Sequence, residues 1–173
     1  MIIRRASIDD AAAIARIHMD SWRSTYRGLV SDDFLDNLRL EDRVPRWEKR
    51  LADVDGGMFT YVAEAAPGLL VGFSQGGPEG TGNPDYTGEL WSLHIAEPYQ
   101  GLGLGRRLTS QVANHLYSAG HRSMLLWVLT GNHGARRFYE RLGGVYVDDR
   151  VEDFAGGMID EVAYGWADIT PLL

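Results

Sequence analysis

The spacing of apolar positions changes period several times along the chain, and each change marks an element. Residues 2–6, Ile-Ile-Arg-Arg-Ala, predict a short strand. Ser7 with Asp10 then gives a capping-box-like helix start, with Asp where Glu is usual. Ile14, Ile17 and Ser21 share one helical stripe with Trp22 beside it, which carries the helix to about Tyr26. Ser31 opens a second helix whose apolar face is Phe34, Leu35 and Leu38. A third amphipathic piece runs from about Glu41 to Leu51 and accommodates Pro45 only near its first turn. Met58–Ala63 and Leu69–Ser74 are β-rich runs joined by Ala-Ala-Pro-Gly, the pattern of an antiparallel hairpin.

Residues 76–88 hold five glycines and two prolines. That composition cannot sustain regular structure, so a mobile loop is expected there. Glu89–Ile95 returns to strand. Leu104, Leu108, Val112 and Leu116 then recur at i, i+4 as a helix that Gly120 ends. Ser123–Leu129 reads as a buried strand and Ala135–Leu142 as a short helix. Residues 145–154 and 158–167 form a hairpin around Ala-Gly-Gly. No internal repeat is evident.

A chain of 173 residues is long enough to bury a core, and a single domain over 1–173 is the expectation. With 45% hydrophobic and 24% charged residues the composition is that of an ordinary globular protein. The absence of cysteine removes disulfides, thiolate metal sites and a catalytic thiol, and fits a cytoplasmic location. The first residues turn polar at once and lack an apolar signal-peptide core, and no stretch approaches the roughly 18 apolar residues of a spanning helix. The net charge of −7 argues against nucleic-acid or anionic-membrane partners, which require a positive field.

The most informative segment is Glu89–Arg107. Glycines at 101, 103 and 105 free the main chain to approach a ligand, and the loop opens into a helix whose unpaired N–H groups favour phosphate oxygens. A bare strand-to-helix turn would look the same. A dinucleotide fingerprint from Gly101 would need glycine where Arg106 stands, and a Walker loop would need Gly-Lys. Gly72-Phe73-Ser74-Gln75-Gly76 fits the serine-hydrolase pattern, but Gly77-Pro78 follows where that motif requires a helix. His18, His94, His115, His121 and His133 show no metal-ligand spacing, so no metal is expected.

Gln100-Gly101-Leu102-Gly103-Leu104-Gly105 resembles the Gln/Arg-x-x-Gly-x-Gly/Ala signature of the GNAT superfamily of N-acetyltransferases. Asn132, Ala135, Phe138, Tyr139, Leu142 and Gly143 resemble its second motif, and the order of elements is similar over nearly the whole chain. The resemblance implies an α/β (α+β) fold: a mixed, mostly antiparallel sheet, a splayed parallel strand pair and about four flanking helices. It implies acetyl-coenzyme A (acetyl-CoA) as acetyl donor, with the backbone of Leu93, His94 and Ile95 on the pantetheine arm. Residues Gln100, Gly101, Leu102, Gly103, Leu104, Gly105 and Arg106 would hold the pyrophosphate, and Asn132 the pantetheine or acetyl end.

By the same resemblance Tyr139 is the general acid, and Glu89 stands where relatives place a carboxylate acting through water. Trp22 and Tyr26, one helical turn apart, are assigned to the acceptor pocket, with packing on the sheet as the alternative. The implied acceptor is an amine of a small molecule or peptide, and a homodimer is left open. A non-catalytic acyl-CoA-binding regulator would carry the same ligand loop.

Overall fold

The computed structural model describes residues 1–53, 56–155 and 157–173. Gly156, the middle residue of the Ala-Gly-Gly turn, lies outside them. The chain begins with β1 (Ile2–Arg5), α1 (Ala11–Thr25), α2 (Asp32–Asp36) and α3 (Leu40–Ala52). It continues through β2 (Phe59–Ala66), β3 (Leu69–Pro78), β4 (Gly88–Ile95) and α4 (Leu104–Ser118). It closes with β5 (Met124–Leu129), α5 (His133–Arg141), β6 (Val145–Phe154) and β7 (Gly157–Trp166). Among the described residues the strands form one seven-stranded sheet in the order β1-β2-β3-β4-β5-β7-β6. Every pairing between these strands is antiparallel except β4–β5.

Local chemistry accounts for the helix boundaries. Asp10 accepts from the Ser7 N–H at 2.8 Å, so the expected reverse half of the capping box forms, and Arg4 joins Asp10 and Glu64 in one ionic cluster. The Ser31 hydroxyl caps α2 by accepting from the Phe34 N–H at 3.4 Å. Pro45 departs from expectation, since it sits in the second turn of α3 and removes one N–H bond there. Burial of Trp47, 2% exposed against Ile14, Val62 and Phe73, offsets that loss.

The expected loop at 76–88 is shorter than its composition suggests. Gly76, Gly77 and Pro78 complete β3, paired with Leu90, Glu89 and Gly88. A side chain at Gly76 would meet Val112 at 2.6 Å, so glycine here admits α4 close against the sheet. The remaining loop folds around the Glu79 carboxylate, which accepts from the N–H groups of Thr81, Gly82 and Asn83.

Helices cover both faces of the sheet. On one, α1 and α3 bury Val62, Leu70 and Phe73. On the other, α4 and α5 bury Val71, Leu90, Met124, Leu126 and Val162. Two irregularities in β4 prepare the site. Its pairing with β5 covers only Gly88↔Met124 and Glu89↔Leu125, after which the two strands part. Its pairing with β3 jumps from Gln75↔Ser92 to Gly76↔Leu90, which leaves Trp91 as an extra residue. Leu90 and Leu93 therefore both face α4, and Glu89 and His94 face α1.

Candidate active site

A cavity of about 770 Å³ opens where β4 and β5 separate. One wall is Ser21 and Thr25 of α1 with Tyr26, its C-cap. The opposite wall is Asn132, Ala135, Phe138 and Tyr139 at and within α5, and Leu93, His94 and Ile95 run between them. Because α1 and α5 lie on opposite faces of the sheet, the cavity passes through the sheet plane.

The glycine loop forms one end. Gly101, Gly103, Gly105, Arg106 and Gln100 line the cavity. Gly101 and Gly103 hold φ of +74° and +79° with open space where a side chain would begin, so the requirement for glycine is conformational. Gly105 is required for packing instead, since a side chain there would meet Phe138 at 3.0 Å. Leu104 turns into the core at 1% exposure and Leu102 is 56% exposed, so these two side chains leave the cavity to the backbone between them. α4 begins at Gly103 with no side-chain cap and no acidic residue in its first turn. Its free N–H groups and positive dipole end suit a diphosphate.

Asn132 is both helix cap and cavity residue: its Oδ1 accepts from the Ala135 N–H at 3.1 Å. Arg136 fastens α5 at the same corner, donating to Thr130 O and to the Tyr164 hydroxyl, which in turn donates to Glu140 at 2.6 Å. These bonds fix the helix that carries Tyr139. Tyr139 is 7% exposed, and burial with Tyr26 nearby pushes its phenol above the ordinary range, so it stays protonated at neutral pH.

Glu89 is not among the cavity-lining residues. Its carboxylate faces the α1 side, 4% exposed, and accepts from the Gly80 N–H at 3.1 Å. Burial pushes it up to about 7, with Arg150 acting in the opposite direction. Arg150 itself holds Glu161 at 2.7 Å and stacks 4.0 Å over Trp127. Trp22 packs against Tyr26, Phe34 and Phe154 and does not line the cavity, whereas Tyr26 does. Burial pushes the Tyr26 phenol up to about 12.

Sequence reasoning missed Ser21 and the side chain of His94, which meet at 2.9 Å in the cavity wall. The one available signal was a hydroxyl on the otherwise apolar stripe of α1. Ser74 is fully buried and donates to Leu108 O at 3.3 Å, which leaves the apparent hydrolase motif without a nucleophile. Among the described residues no group of three or more His, Asp or Glu could hold a metal ion, and no helix is long and apolar enough to cross a membrane.

The sequence model of the acetyltransferase (GNAT) family matches residues 12–144. The chain belongs to this family. It is 32% identical over 170 residues to the uncharacterised N-acetyltransferase YuaI of Bacillus subtilis, covering 98% of this chain and 95% of that protein. Solved GNAT structures share the fold. YncA of Salmonella typhimurium, determined with its cofactor acetyl-CoA, superposes with a TM-score of 0.71 at 24% identity, over 96% of this chain and 92% of that one. A ribosomal-protein-alanine N-acetyltransferase of Brucella melitensis does so with 0.72 at 23% identity, over 96% and 99%. Among the described residues the mixed sheet with its one parallel strand pair is as the resemblance implies, and there are five α-helices, the short α2 that opens after Ser31 included, where the resemblance implied about four.

Proposed function

We propose that this GNAT protein transfers the acetyl group of acetyl-CoA to a primary amine by direct attack in a ternary complex. The observation that carries the reading is the cavity through the sheet, which offers donor and acceptor separate faces and a common meeting point. The uncapped start of α4 would take the diphosphate, and the main chain of 93–95, freed from β5, would pair with the pantetheine amides. Arg106, on the rim, adds positive charge. The acetyl thioester would then lie between α1 and α5.

Glu89 draws the proton from the acceptor ammonium through water, since its carboxyl titrates near neutrality and lies on the acceptor face. The freed nitrogen attacks the thioester carbon, and the extra proton that its new C–N bond leaves on nitrogen passes to water as the adduct collapses to the amide. As the C–S bond breaks, Tyr139 gives its proton to the departing thiolate and is reprotonated from solvent. Holding amine and thioester together supplies the proximity that a bimolecular reaction in water lacks. With no cysteine in the chain the best acyl-enzyme nucleophile is missing, which favours direct transfer.

The acidic surface raises the local concentration of cationic acceptors, consistent with a small amine or a peptide amine. Similar proteins carry names with different acceptors, a mycothiol acetyltransferase and a ribosomal-protein-alanine N-acetyltransferase among them. Calorimetry with acetyl-CoA tests the reading first. At about 100 times the dissociation constant, bound donor stabilises the fold by ~2.7 kcal/mol, and a protein whose melting is indifferent to acetyl-CoA sinks the proposal. Initial rates against donor and amine then give intersecting lines for direct transfer. Parallel lines with a trapped acetyl-protein would defeat the mechanism and keep the site.

A further inference from the structure

Ser21 and His94 are 73 residues apart in sequence, and their side chains meet at 2.9 Å, Oγ to Nδ1. Both line the cavity. Neither contact follows from holding the donor: the pantetheine would run against the main chain of β4, and the His94 side chain leaves that strand on the opposite side from Leu93 and Ile95. His94 is 8% exposed, with its ring 5.3 Å from that of Phe73 and 4.8 Å from that of His18. The Nδ1 atom of His18 is itself buried without a partner. Burial holds both rings far below the ordinary histidine range, at about 4 for His94 and about 2 for His18, where the neighbouring His94, Arg43 and Arg50 add to the effect. The imidazoles are neutral under any ordinary assay condition.

A neutral imidazole with its proton on Nε2 presents Nδ1 as an acceptor. The Ser21 hydroxyl then donates to Nδ1, and its own lone pairs are left for a group in the cavity. That group cannot be a carboxylate or a carbonyl, which would need a donor. It is a donor, an N–H or an O–H. On the α1 face, opposite the wall that carries Tyr139, the N–H that arrives is that of the acceptor.

We infer that Ser21 accepts a hydrogen bond from the acceptor amine and aims its lone pair at the thioester carbon, and that His94 is the positioning residue that fixes the Ser21 hydroxyl. The inference rests on the proposed transfer reaction and adds to it a contact on the acceptor side. Glu89 removes charge from the amine, and the uncharged pair receives the amine once it is neutral. Aligning a nucleophile in this way acts on turnover and leaves donor binding untouched.

The test uses the intact protein, acetyl-CoA and hydroxylamine, a small nucleophilic amine whose acetyl product is read as a hydroxamate. Ser21→Ala is expected to lower kcat/KM for hydroxylamine about tenfold, with calorimetric affinity for acetyl-CoA unchanged. His94→Phe should lower it similarly, and His94→Asn, which keeps a hydrogen-bonding atom near the position of Nδ1, should recover part of the loss. The double variant Ser21→Ala, His94→Phe should lose no more than the worse single one, because the two act as one unit. Nitrogen NMR of the unmodified protein should find the His94 proton on Nε2. Additive losses, a wild-type rate for Ser21→Ala, a proton on Nδ1, or a wild type that adds nothing to the uncatalysed hydroxamate reaction would each overturn the inference. Loss of acetyl-CoA binding in the wild type would instead remove the transfer reading on which it rests.

Discussion

The two sides of the sheet opening are built in different ways. The donor side is local: residues 100–106 and the start of α4 form one continuous stretch, and α5 follows β5 with only Thr130, Gly131 and Asn132 between them. Its helix start is uncapped and its glycines are held at positive φ, so backbone groups supply the recognition. On the proposed function the acceptor side would be assembled from α1 with its C-cap Tyr26, β4 and the β6–β7 hairpin, and would use side chains: Ser21, Tyr26 and His94 in the cavity wall, with Glu89, Arg150 and Glu161 behind it. Backbone recognition of a common donor tolerates drift in side chains. Side-chain recognition from three distant segments would let the acceptor change while the donor site stays put.

Substitutions can separate the two sides, and the largest effect should come from the residue at their junction. Tyr139→Phe keeps the ring and removes the proton, so turnover should fall by ~10², with acetyl-CoA affinity hardly moved in calorimetry. Wild-type turnover would reduce Tyr139 to a packing residue.

Glu89→Gln should also slow transfer, and it carries a second signature in stability. The folded-state carboxyl titrates at about 7, above its unfolded value of 4.5. The folded protein therefore binds the extra proton between those values, and the stability this gives is full below pH 4.5 and lost as pH rises through 7. Gln imitates the protonated form. Glu89→Gln should thus be the more stable protein at pH ~8 by roughly 3 kcal/mol, and equal to the wild type near pH 4.5. Thermal melts at the two pH values decide this, and a difference independent of pH would mean that Glu89 is ionised throughout.

On the donor side, Gly103→Val forces a β-branched residue into φ of +79°. A left-handed residue costs roughly 1–2 kcal/mol, so acetyl-CoA affinity should drop about tenfold or more while an acceptor-side double-mutant cycle is unaffected. Asn132→Ala should have the smallest effect, about 1 kcal/mol from the lost helix cap, seen as a lower melting temperature. Unchanged melting would place the worth of Asn132 entirely in the ligand.

The same division explains what could be read from the residues in order. The glycine run and the Asn-x-x-Ala-x-x-Phe-Tyr pattern lie within short stretches, so they announce the donor side and its elements. The helix stripes of α1 and α4 were equally plain, because periodicity is local. Gly76 and Gly77 misled for the opposite reason: their smallness answers to Val112 and Met58, which only the fold brings near. Trp22 and Tyr26 share a helix face, yet only Tyr26 reaches the cavity, because Phe34 and Phe154 close over Trp22. The Ser21–His94 contact depends on which way β4 presents residue 94, and nothing in the local pattern sets that.

That orientation is a matter of parity. Trp91 is the surplus residue in the β3–β4 pairing, and everything after it in β4 is displaced by one step. Were Trp91 drawn into the ladder opposite Gln75, every later residue of β4 would move one place along β3 and change sides. Leu93 and Ile95 would be handed to α1, and His94 to α4. Deleting Trp91 does the opposite: Ser92, Leu93, His94 and Ile95 keep their present partners on β3 and their present sides. The surplus residue thus acts as a spacer that lets a strand one residue too long for its neighbour keep the sense of its second half, and a chain shortened by that residue would keep the same sense without it.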